Sequence, residues 1–422
     1  TKEGCNEGDC GACSVIVTGP DGVAKPINAC ILFLPQLQGR AVRTVEGISG
    51  TDGRLHPVQN AMIAKHGSQC GFCTPGFITT MAAAHANGET DFNTALAGNL
   101  CRCTGYAPII RAAEMATKEP VPIWMKEPKF TTNHNSSNDV YCPQSTDDLA
   151  KWYVKNPQAT LVAGGTDVGL WITKHMRTPK PIAFLGHAID LSQIIDHGAH
   201  LRVGATTTIS ELMQAILPIS ASLHAMLERY GSAQVRNAAT IGGNIANGSP
   251  IGDGPPALIA MGATLVLRKG SERRHLPLEN FFIAYGQQDC LPGEFVEAVE
   301  IPKDQPNLRC YKISKRFDQD ISAVCGCINI TTKDGIITKA IIAFGGMAGT
   351  PTRAQQTENA LLGQAWGDKA FAKSREAIPH DFKPLSDMRA SAEYRTQSAQ
   401  NLLTRYYHDL ENSPINVRGV HA

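Results

Sequence analysis

Charged side chains are scarce in this sequence, and long apolar segments are missing. Of its 422 residues only 18% are charged, and 39 basic against 38 acidic residues leave a net charge of +1. This balance provides no excess of positive charge for nucleic acid or for an acidic partner. No apolar run approaches the length of a membrane span. We therefore expect no nucleic-acid partner and no membrane association, in a chain long enough for about three domains.

Common catalytic motifs are also missing. The sequence has no HExxH, no P-loop and no nucleophile elbow, and its glycine turn at 164–169 does not match the GxGxxG dinucleotide fingerprint. The sequence thus lacks the usual signatures of metalloproteases, P-loop nucleotidases, α/β-hydrolases and Rossmann dehydrogenases. The chain opens directly into a thiol-rich loop instead of a signal peptide, so we expect a cytoplasmic protein.

Cysteine is plentiful, and the first group has a recognisable spacing. The chain has 13 cysteines, and the first four are separated by four, two and sixteen residues. The pattern C-x4-C-x2-C…C is the ligand spacing of plant-type [2Fe–2S] clusters. Glycines between the thiols let backbone N–H groups approach a cluster without Cβ clashes. The group consists of Cys5, Cys10, Cys13 and Cys30.

A second group of four thiols lies in a helical region. Proline and N-cap signals predict four short helices between His56 and Lys118, with each thiol pair in the turn before a helix. An antiparallel bundle of this kind could hold an anionic metal centre against helix N-termini. These motifs alone leave zinc and iron–sulfur open, although Cys-x-Cys is unusual for zinc. Together the two groups favour iron–sulfur clusters. The second group consists of Cys70, Cys73, Cys101 and Cys103.

The other five cysteines are scattered, and we expect them to be free thiols. Cys325-Gly-Cys327 could suggest another metal site, but its neighbours have the pattern of a strand, which favours a buried structural pair. The remaining three are Cys142, Cys290 and Cys310.

Two glycine-rich stretches follow a proline-rich segment at 119–140, which we interpret as an extended linker. In the first, the predicted strand 159–163 enters Gly164-Gly165 and then a helix, a geometry that can cradle phosphate. The second, at 239–256, combines glycine, asparagine and serine in a long irregular loop. From composition alone, a ligand site and a flexible surface loop are equally compatible with it. The last hundred residues predict one strand and three helices, and no chemistry.

The motifs around the thiols resemble the two cluster domains of the xanthine dehydrogenase family of molybdenum hydroxylases. They read CNEGDCGAC from Cys5, QCGFCTPG from Gln69 and NLCRCTGY from Asn99. The resemblance implies that the first thiol group holds the plant-type cluster and the second holds the cluster nearest the molybdenum cofactor. Family members begin several tens of residues earlier, so we expect part of the first domain to be missing from a chain that starts at Thr1.

The resemblance implies an α+β multidomain fold. Its parts would be a ferredoxin-like β-grasp domain, a four-helix-bundle domain, an FAD-binding domain of the vanillyl-alcohol-oxidase/PCMH type and an α+β C-terminal flavoprotein domain. The predicted bounds are 1–50 for the ferredoxin domain, 51–118 for the bundle, 119–140 for the linker, 141–305 for the FAD-binding domain and 306–422 for the C-terminal domain.

Carried over residue by residue, the resemblance assigns an FAD site to the two glycine-rich stretches and some flanking positions. The first stretch and the start of the second would wrap the diphosphate and the ribityl chain, and Asp253 would hydrogen-bond a polar part of FAD. Adenine or flavin-ring contacts would come from Tyr230, Val296 and Lys312. The two stretches are Leu161, Val162, Ala163, Gly164, Gly165, Thr166, Asp167 and Val168, and Thr240, Ile241, Gly242, Gly243 and Asn244.

Three further features are assigned by the resemblance or by charge. The loop 315–320 would control the access of NAD to the flavin. The segment from Phe281 to Tyr285 would lie near the flavin, although Gly286 stands where the family often has an arginine. Arg102 lies between two ligands and could tune the potential of its cluster, or could be a surface residue.

The function implied by the resemblance is electron transfer. The chain would be the iron–sulfur and FAD subunit of a xanthine dehydrogenase, with NAD as acceptor and a separate molybdopterin-binding subunit in a heterotetramer of two copies of each chain. No residue of this chain would act as a catalytic acid or base. Two alternatives remain: a subunit of a hydroxylase acting on aldehydes, carbon monoxide or N-heterocycles, and a zinc-stabilised scaffold without a redox role.

Overall fold

The computed structural model describes residues 1–127 and 139–412, and it has the α+β multidomain fold predicted from the sequence. Within these ranges the strands are β1 (Ser14–Thr18), β2 (Ala24–Asn28), β3 (Ala41–Arg43), β4 (Val140–Tyr141), β5 (Thr160–Val162), β6 (Ile182–Phe184), β7 (Ile194–Asp196), β8 (His200–Gly204), β9 (Thr264–Lys269), β10 (Glu272–Pro277), β11 (Phe282–Ala284), β12 (Gln287–Gln288), β13 (Phe295–Pro302), β14 (Arg309–Ile313), β15 (Val324–Lys333), β16 (Ile336–Gly345) and β17 (Thr352–Arg353).

Helices surround these strands in the same two ranges. They are α1 (Pro57–Ala64), α2 (Thr74–Ala86), α3 (Phe92–Ala95), α4 (Ala107–Ala116), α5 (Thr146–Lys155), α6 (Val168–Thr173), α7 (Ile209–Ile216), α8 (Ala221–Glu228), α9 (Ala233–Arg236), α10 (Ile241–Ala246), α11 (Gly254–Ala260), α12 (Gln355–Leu361), α13 (Asp368–Arg375), α14 (Ile378–Asp381) and α15 (Ala392–Glu411). In these ranges no helix combines the length and apolar character that crossing a membrane requires.

The N-terminal sheet and the helical bundle share one hydrophobic core. The sheet has the order β2-β1-β3, and β1 is a β-branched run whose residues are all buried. Ile16 of β1 packs in the same core cluster as Phe77 and Met81 of α2 and Ile109 of α4. Apolar burial therefore ties the strand that follows the first thiol group to the helices that follow the second.

The four predicted helices of the bundle are present, with shifted ends. Prolines in the first turn open α1, α2 and α4, as their fixed φ and missing N–H allow. Thr74-Pro75 predicts Thr74 as the N-cap of α2, but the helix begins at Thr74, so that Cys73 occupies the N-cap position. Helix α3 is a single turn capped by the Asp91 carboxylate. The thiols therefore lie at helix starts, as the spacing predicted.

The first part of the predicted linker is not an extended tether. Trp124 donates its indole N–H to the carbonyl of Ile48 at 3.1 Å, and Arg43 bonds Glu127 at 2.7 Å and the carbonyl of Trp124 at 3.0 Å. Proline content predicted an irregular chain here, but it could not show that a tryptophan and an ion pair fix the chain against the N-terminal domain. The remainder of the predicted linker lies mostly outside the described residues.

The middle and C-terminal regions are built on separate sheets joined by one core. A parallel sheet (β4-β6-β5) carries the first glycine turn, and an antiparallel sheet (β10-β9-β13-β8-β7) forms the body of the middle region. The C-terminal sheet (β14-β15-β16-β17) packs one face against α15. Its other face contributes Cys325 and Cys327 to the core of the middle region. Both thiols are fully buried, so the predicted structural pair is confirmed.

A buried histidine pair joins the start of the bundle to its end. His56 is fully buried and caps α1, its Nδ1 accepting from the N–H of Val58 at 3.2 Å. The ring of His85 lies 5.4 Å away, edge-on, and its Nε2 contacts the carbonyl of Glu119 at 2.9 Å. Burial, followed by the nearby His85 and Arg43, lowers the pKa of His56 to about 4. Since the folded pKa lies below the ordinary value, the fold favours neutral His56.

We expect the bundle to lose stability as the pH falls through this window. The unfolded chain takes up a proton at His56 near pH 6.5, whereas the folded chain resists it down to about pH 4. The stabilisation is therefore complete above pH 6.5 and declines by up to about 3 kcal/mol towards pH 4. Hydrogen exchange of the α1 amides, corrected for intrinsic rates, should show this loss.

A His56→Asn variant is the matched comparison, because asparagine keeps a neutral N-cap acceptor that does not titrate in this range. Its α1 amides should show a flatter pH dependence between pH 7 and 5. Equal slopes in the two proteins would contradict the assignment to His56.

Candidate metal centres and cofactor site

The first thiol group forms two pairs around a loop rich in backbone donors. Cys5 Sγ accepts from the N–H groups of Asp9 at 3.4 Å and Cys10 at 3.3 Å, and Cys10 Sγ accepts from Cys5 N–H at 3.4 Å. Cys13 Sγ accepts from the N–H of Cys30 at 3.4 Å. Cys5 therefore lies against Cys10, and Cys13 against Cys30. N–H donors aimed at sulfur stabilise thiolate charge.

The pKa values of Cys13 and Cys30 reflect the same pairing. A hydrogen bond from the Cys30 thiol, opposed by burial, lowers the pKa of Cys13 to about 7. The same hydrogen bond, together with burial, raises the pKa of Cys30. One thiol of the pair is thus already close to the thiolate form that ligates metal.

The second group forms two pairs at the facing turns of the bundle. The thiol of Cys70 lies near that of Cys103, and the thiol of Cys73 near that of Cys101, so that each affects the pKa of its neighbour. Burial and the Cys101 thiol raise the pKa of Cys73 to about 12. Burial opposes ionisation of Cys101, but contacts from Thr104 lower its pKa, including the hydroxyl at 3.1 Å. Cys70 and Cys103 are exposed, whereas Cys101 is buried.

Two pairs in each group match the requirement of a two-iron cluster. All 13 cysteines lie in the described ranges and are free thiols. In those ranges no three His, Cys, Asp or Glu side chains converge on a point where they would hold a single ion. A [2Fe–2S] cluster takes two thiolates on each iron, whereas a closed zinc site surrounds one ion with four ligands. The pairs are therefore compatible with [2Fe–2S] clusters at both groups, and the assignment of the eight cysteines as ligands remains a prediction.

The loops of the two groups touch. The N–H of Leu100, which precedes Cys101, donates to the carbonyl of Cys10 at 3.0 Å. A Cβ on Gly76 would lie 2.2 Å from the carbonyl oxygen of Gly11, so only glycine allows this approach. Gly11 itself has φ +69°, a conformation that glycine adopts without strain. One backbone hydrogen bond thus links residues at or beside ligands of both groups.

The first glycine turn has the free donors that a diphosphate needs. In the described part of the chain, none of the backbone N–H groups from 164 to 168 donates to a protein acceptor. Gly165 has φ +75°, and a Cβ on Gly164 would lie 1.9 Å from the carbonyl of Ala238, directly before the second stretch. The turn therefore fits an anion, as predicted for Leu161–Val168, and it abuts the second stretch.

The second stretch offers side chains more than amides. The N–H groups of Ile241, Gly242 and Gly243 already donate to Thr207 O at 3.0 Å, Ala205 O at 2.8 Å and Thr240 Oγ1 at 3.2 Å. Composition left a ligand site and a surface loop equally open, and the resemblance favoured the ligand site; in the structure, backbone carbonyls of residues 205 and 207 occupy the first amides of α10 instead.

A side chain of this stretch remains available to a ligand. Asn244 donates to the hydroxyl of Tyr230 at 3.1 Å, and its buried Oδ1 has no partner among the described residues. A hydrogen-bond donor of FAD could pair with this oxygen. Ligand contacts by residues 240–244 therefore remain a prediction, and Asn244 is the residue that supports it.

Of the three other positions assigned to FAD, Asp253 and Lys312 contact each other, whereas Val296 lies elsewhere. Lys312 Nζ donates to Asp253 at 2.6 Å in a pair that is almost completely buried, and Ser322 Oγ donates to the other carboxylate oxygen at 2.5 Å. Val296 lies in β13 within the main core. Ser322 has no sequence signal for this contact, because it lies shortly before a strand and belongs to no motif.

The first thiol group lies directly beside the first glycine turn. Helix α6 follows this turn, and a Cβ on its Gly169 would lie 3.0 Å from Cβ of Ile31, the neighbour of Cys30. Beyond α6, Lys174 donates to the carbonyl of Cys5 at 2.6 Å. The spatial order is therefore second thiol group, first thiol group, glycine turn.

The loop predicted to control NAD access lies against the thiol loops. Gln319 contacts the carbonyls of Asp9 and Gly98, and Arg229 holds Phe317 by its carbonyl at 2.9 Å. Tyr285 is 77% exposed beside Gly286. A role for this loop towards NAD, and for Arg102 in tuning, remain predictions.

Family models match three stretches of the sequence. A [2Fe-2S] binding domain matches residues 44–114, the FAD binding domain in molybdopterin dehydrogenase matches 132–304, and the CO dehydrogenase flavoprotein C-terminal domain matches 309–410. The first of these includes the second thiol group, and the next includes both glycine-rich stretches.

Relatives among curated proteins and solved structures agree with these matches. Xanthine dehydrogenase of Drosophila subobscura is 31% identical over 90% of this chain and 34% of its own length. That of Emericella nidulans is 29% identical over 97% and 36%. A CO dehydrogenase structure from Oligotropha carboxidovorans has a TM-score of 0.59 at 26% identity, covering 65% of this chain and 97% of its own. The chain spans about a third of the length of the curated relatives it matches.

The contact between Gly76 and Gly11 yields a prediction for the metal centres. In Gly76→Ala the added methyl would meet a backbone carbonyl at 2.2 Å, so the two loops must move apart. We expect the iron content to fall from roughly four per chain towards two, with distortion of at least one of two [2Fe–2S] signals in electron paramagnetic resonance (EPR).

Gly186→Ala is the control, since nothing lies within 4 Å of its added Cβ. This variant should retain the iron and both signals. If Gly76→Ala also retained the iron content and both EPR signals, the close approach of Gly76 to Gly11 would not be required for the metal centres.

Proposed function

Because the chain belongs to the molybdenum hydroxylase family, we propose that it is the part of such an enzyme that carries electrons between a molybdopterin-bearing partner and a soluble acceptor. The observation that supports this is the unbroken contact from the second thiol group through the first to the glycine turn. Each contact is a hydrogen bond or a van der Waals contact between residues at or beside predicted ligands. A scaffold without a redox role would not require this continuity.

The chain's own residues contribute position and charge compensation. The eight paired cysteines would hold two [2Fe–2S] clusters, and the free amides at 164–168 would hold the diphosphate of FAD. Asp253 of the second stretch and Lys312 form a buried ion pair in which each charge compensates the other. When bound, the clusters supply one-electron transfer and the flavin supplies hydride transfer. We assign no catalytic acid or base to this chain.

We further propose that the enzyme is a xanthine dehydrogenase that uses NAD. The support is the set of xanthine dehydrogenases that match 90% or more of this chain. The partner would then be a molybdopterin-binding subunit in a cytoplasmic heterotetramer with two copies of each chain. A second candidate is a hydroxylase for carbon monoxide or an N-heterocycle, which is favoured by the match of residues 309–410 to the CO dehydrogenase flavoprotein C-terminal domain.

Metal and flavin analysis of the purified chain tests the first proposal. We expect roughly four irons and one FAD per chain, with two [2Fe–2S] signals after dithionite reduction. Cys103→Ser should remove or shift one signal and leave the other, since serine is a poor ligand for this soft site.

Cys290→Ser is the matched control, because Cys290 lies outside both thiol groups and its thiol donates to the carbonyl of Glu294 at 3.3 Å. It should keep both signals. Zinc without iron or flavin would overturn the proposal.

Turnover assays of the complex with the molybdopterin-bearing chain test the substrate and the acceptor. Xanthine should bleach the cluster absorbance within seconds, and added NAD should restore it with formation of NADH. Bleaching by carbon monoxide or quinoline but not by xanthine would select the second candidate. Reoxidation by oxygen without any by NAD would refute the proposed acceptor.

A further inference from the structure

We infer that Gln234 is a positioning residue that sets the spacing of the two metal centres from within the flavin-binding region. This inference rests on the proposed electron-transfer function and concerns a residue that is not a predicted ligand of any cofactor. Its carboxamide lies where three segments meet, and each segment is close in sequence to ligand thiols.

Three acceptors surround the nitrogen of this side chain. Gln234 Nε2 lies 3.1 Å from Ser14 Oγ, 3.0 Å from Asn99 Oδ1 and 3.3 Å from Thr80 Oγ1. All four residues are at most 2% exposed. Buried hydrogen bonds of this kind are costly to lose, because the abandoned partners cannot turn to water.

The three acceptors belong to the supports of both thiol groups. Ser14 directly follows Cys13, and Asn99 lies two residues before Cys101. Thr80 lies in α2, the helix that begins directly after Cys73. One side chain therefore contacts the strand that follows the first thiol group, the turn that precedes Cys101, and the helix that follows Cys73.

Gln234 is itself fixed by the middle region. It belongs to α9, which is capped by Ser232 through the N–H of Val235 at 3.1 Å. After this helix Asn237 donates to the carbonyl of Pro26 at 3.1 Å. The carboxamide therefore projects from a short helix of the flavin-binding region that is held by its own cap and by a hydrogen bond to β2, and it reaches between the two thiol loops.

Packing around the carboxamide is tight on its other side. A Cβ on Gly98 would lie 2.1 Å from Gln234 Oε1, and this oxygen has no hydrogen-bond partner among the described residues. An unpaired buried oxygen costs stability. The gain that offsets this cost is the three-way contact on the nitrogen side, which fixes the thiol loops relative to each other.

Two substitutions test the inference in the full chain loaded with its clusters and FAD. Gln234→Met keeps the length and volume but removes the amide, and Gly98→Ala places a methyl against it. We expect either variant to weaken the magnetic coupling between the two reduced [2Fe–2S] centres in EPR. The rate at which the centres re-equilibrate after flash reduction of the flavin should fall measurably, since electron transfer between two centres slows as the distance between them grows.

Gln305→Met is the matched control. Gln305 is also buried, and its Nε2 donates to two carbonyls, those of Met261 at 3.0 Å and Pro302 at 3.1 Å, away from the thiol loops. It should lower thermal stability as Gln234→Met does, yet leave the magnetic coupling and the rate unchanged.

The outcomes separate this inference from the proposed function. If the unmodified chain lacks iron or flavin, the proposed function fails. If it holds both, and the Gln234→Met and Gly98→Ala variants keep full cofactor content with the coupling and rate of the unmodified chain, the positioning role is overturned. If Gln234→Met does not fold, Thr80→Val removes one of the three contacts, and an unchanged coupling there would overturn the role equally.

Discussion

The structure depends on the close approach of two loops that carry thiols. Gly76 and Gly11 meet at a distance that no side chain would allow, and this contact brings a strand of the N-terminal sheet against the first long helix of the bundle. A shared apolar core then holds the two regions together, with Ile16 and Phe77 in one cluster. Neither thiol group could be moved alone without breaking either that core or the hydrogen bond between Leu100 and Cys10.

Much of this arrangement is predictable from the sequence, because it depends on local rules. Cysteine spacing identifies both thiol groups, and prolines at helix starts locate α1, α2 and α4. The buried pair at Cys325 and Cys327 follows from the strand pattern around it. These predictions concern residues near one another in the chain.

The contacts that lie between regions could not be predicted in this way. The interactions of Trp124 with Ile48, and of Gln234 with Ser14 and Asn99, join residues that are far apart in sequence and carry no motif. The glycine stretch at 240–244 shows the opposite limit. Its composition resembles that of a ligand loop, but its first amides already donate to the carbonyls of Ala205 and Thr207. Local pattern cannot distinguish a donor facing a ligand from a donor facing a neighbouring strand.

The uneven exposure of the thiols affects how the chain would be damaged. Cys70 and Cys103 face solvent, while Cys13 and Cys101 are buried. A peroxide or a chelator that diffuses to the surface reaches the exposed pair first, because reactivity of a thiol follows its access as well as its charge. A cluster bound at the second thiol group would therefore be lost first, and any protein that covers this face would lengthen its lifetime.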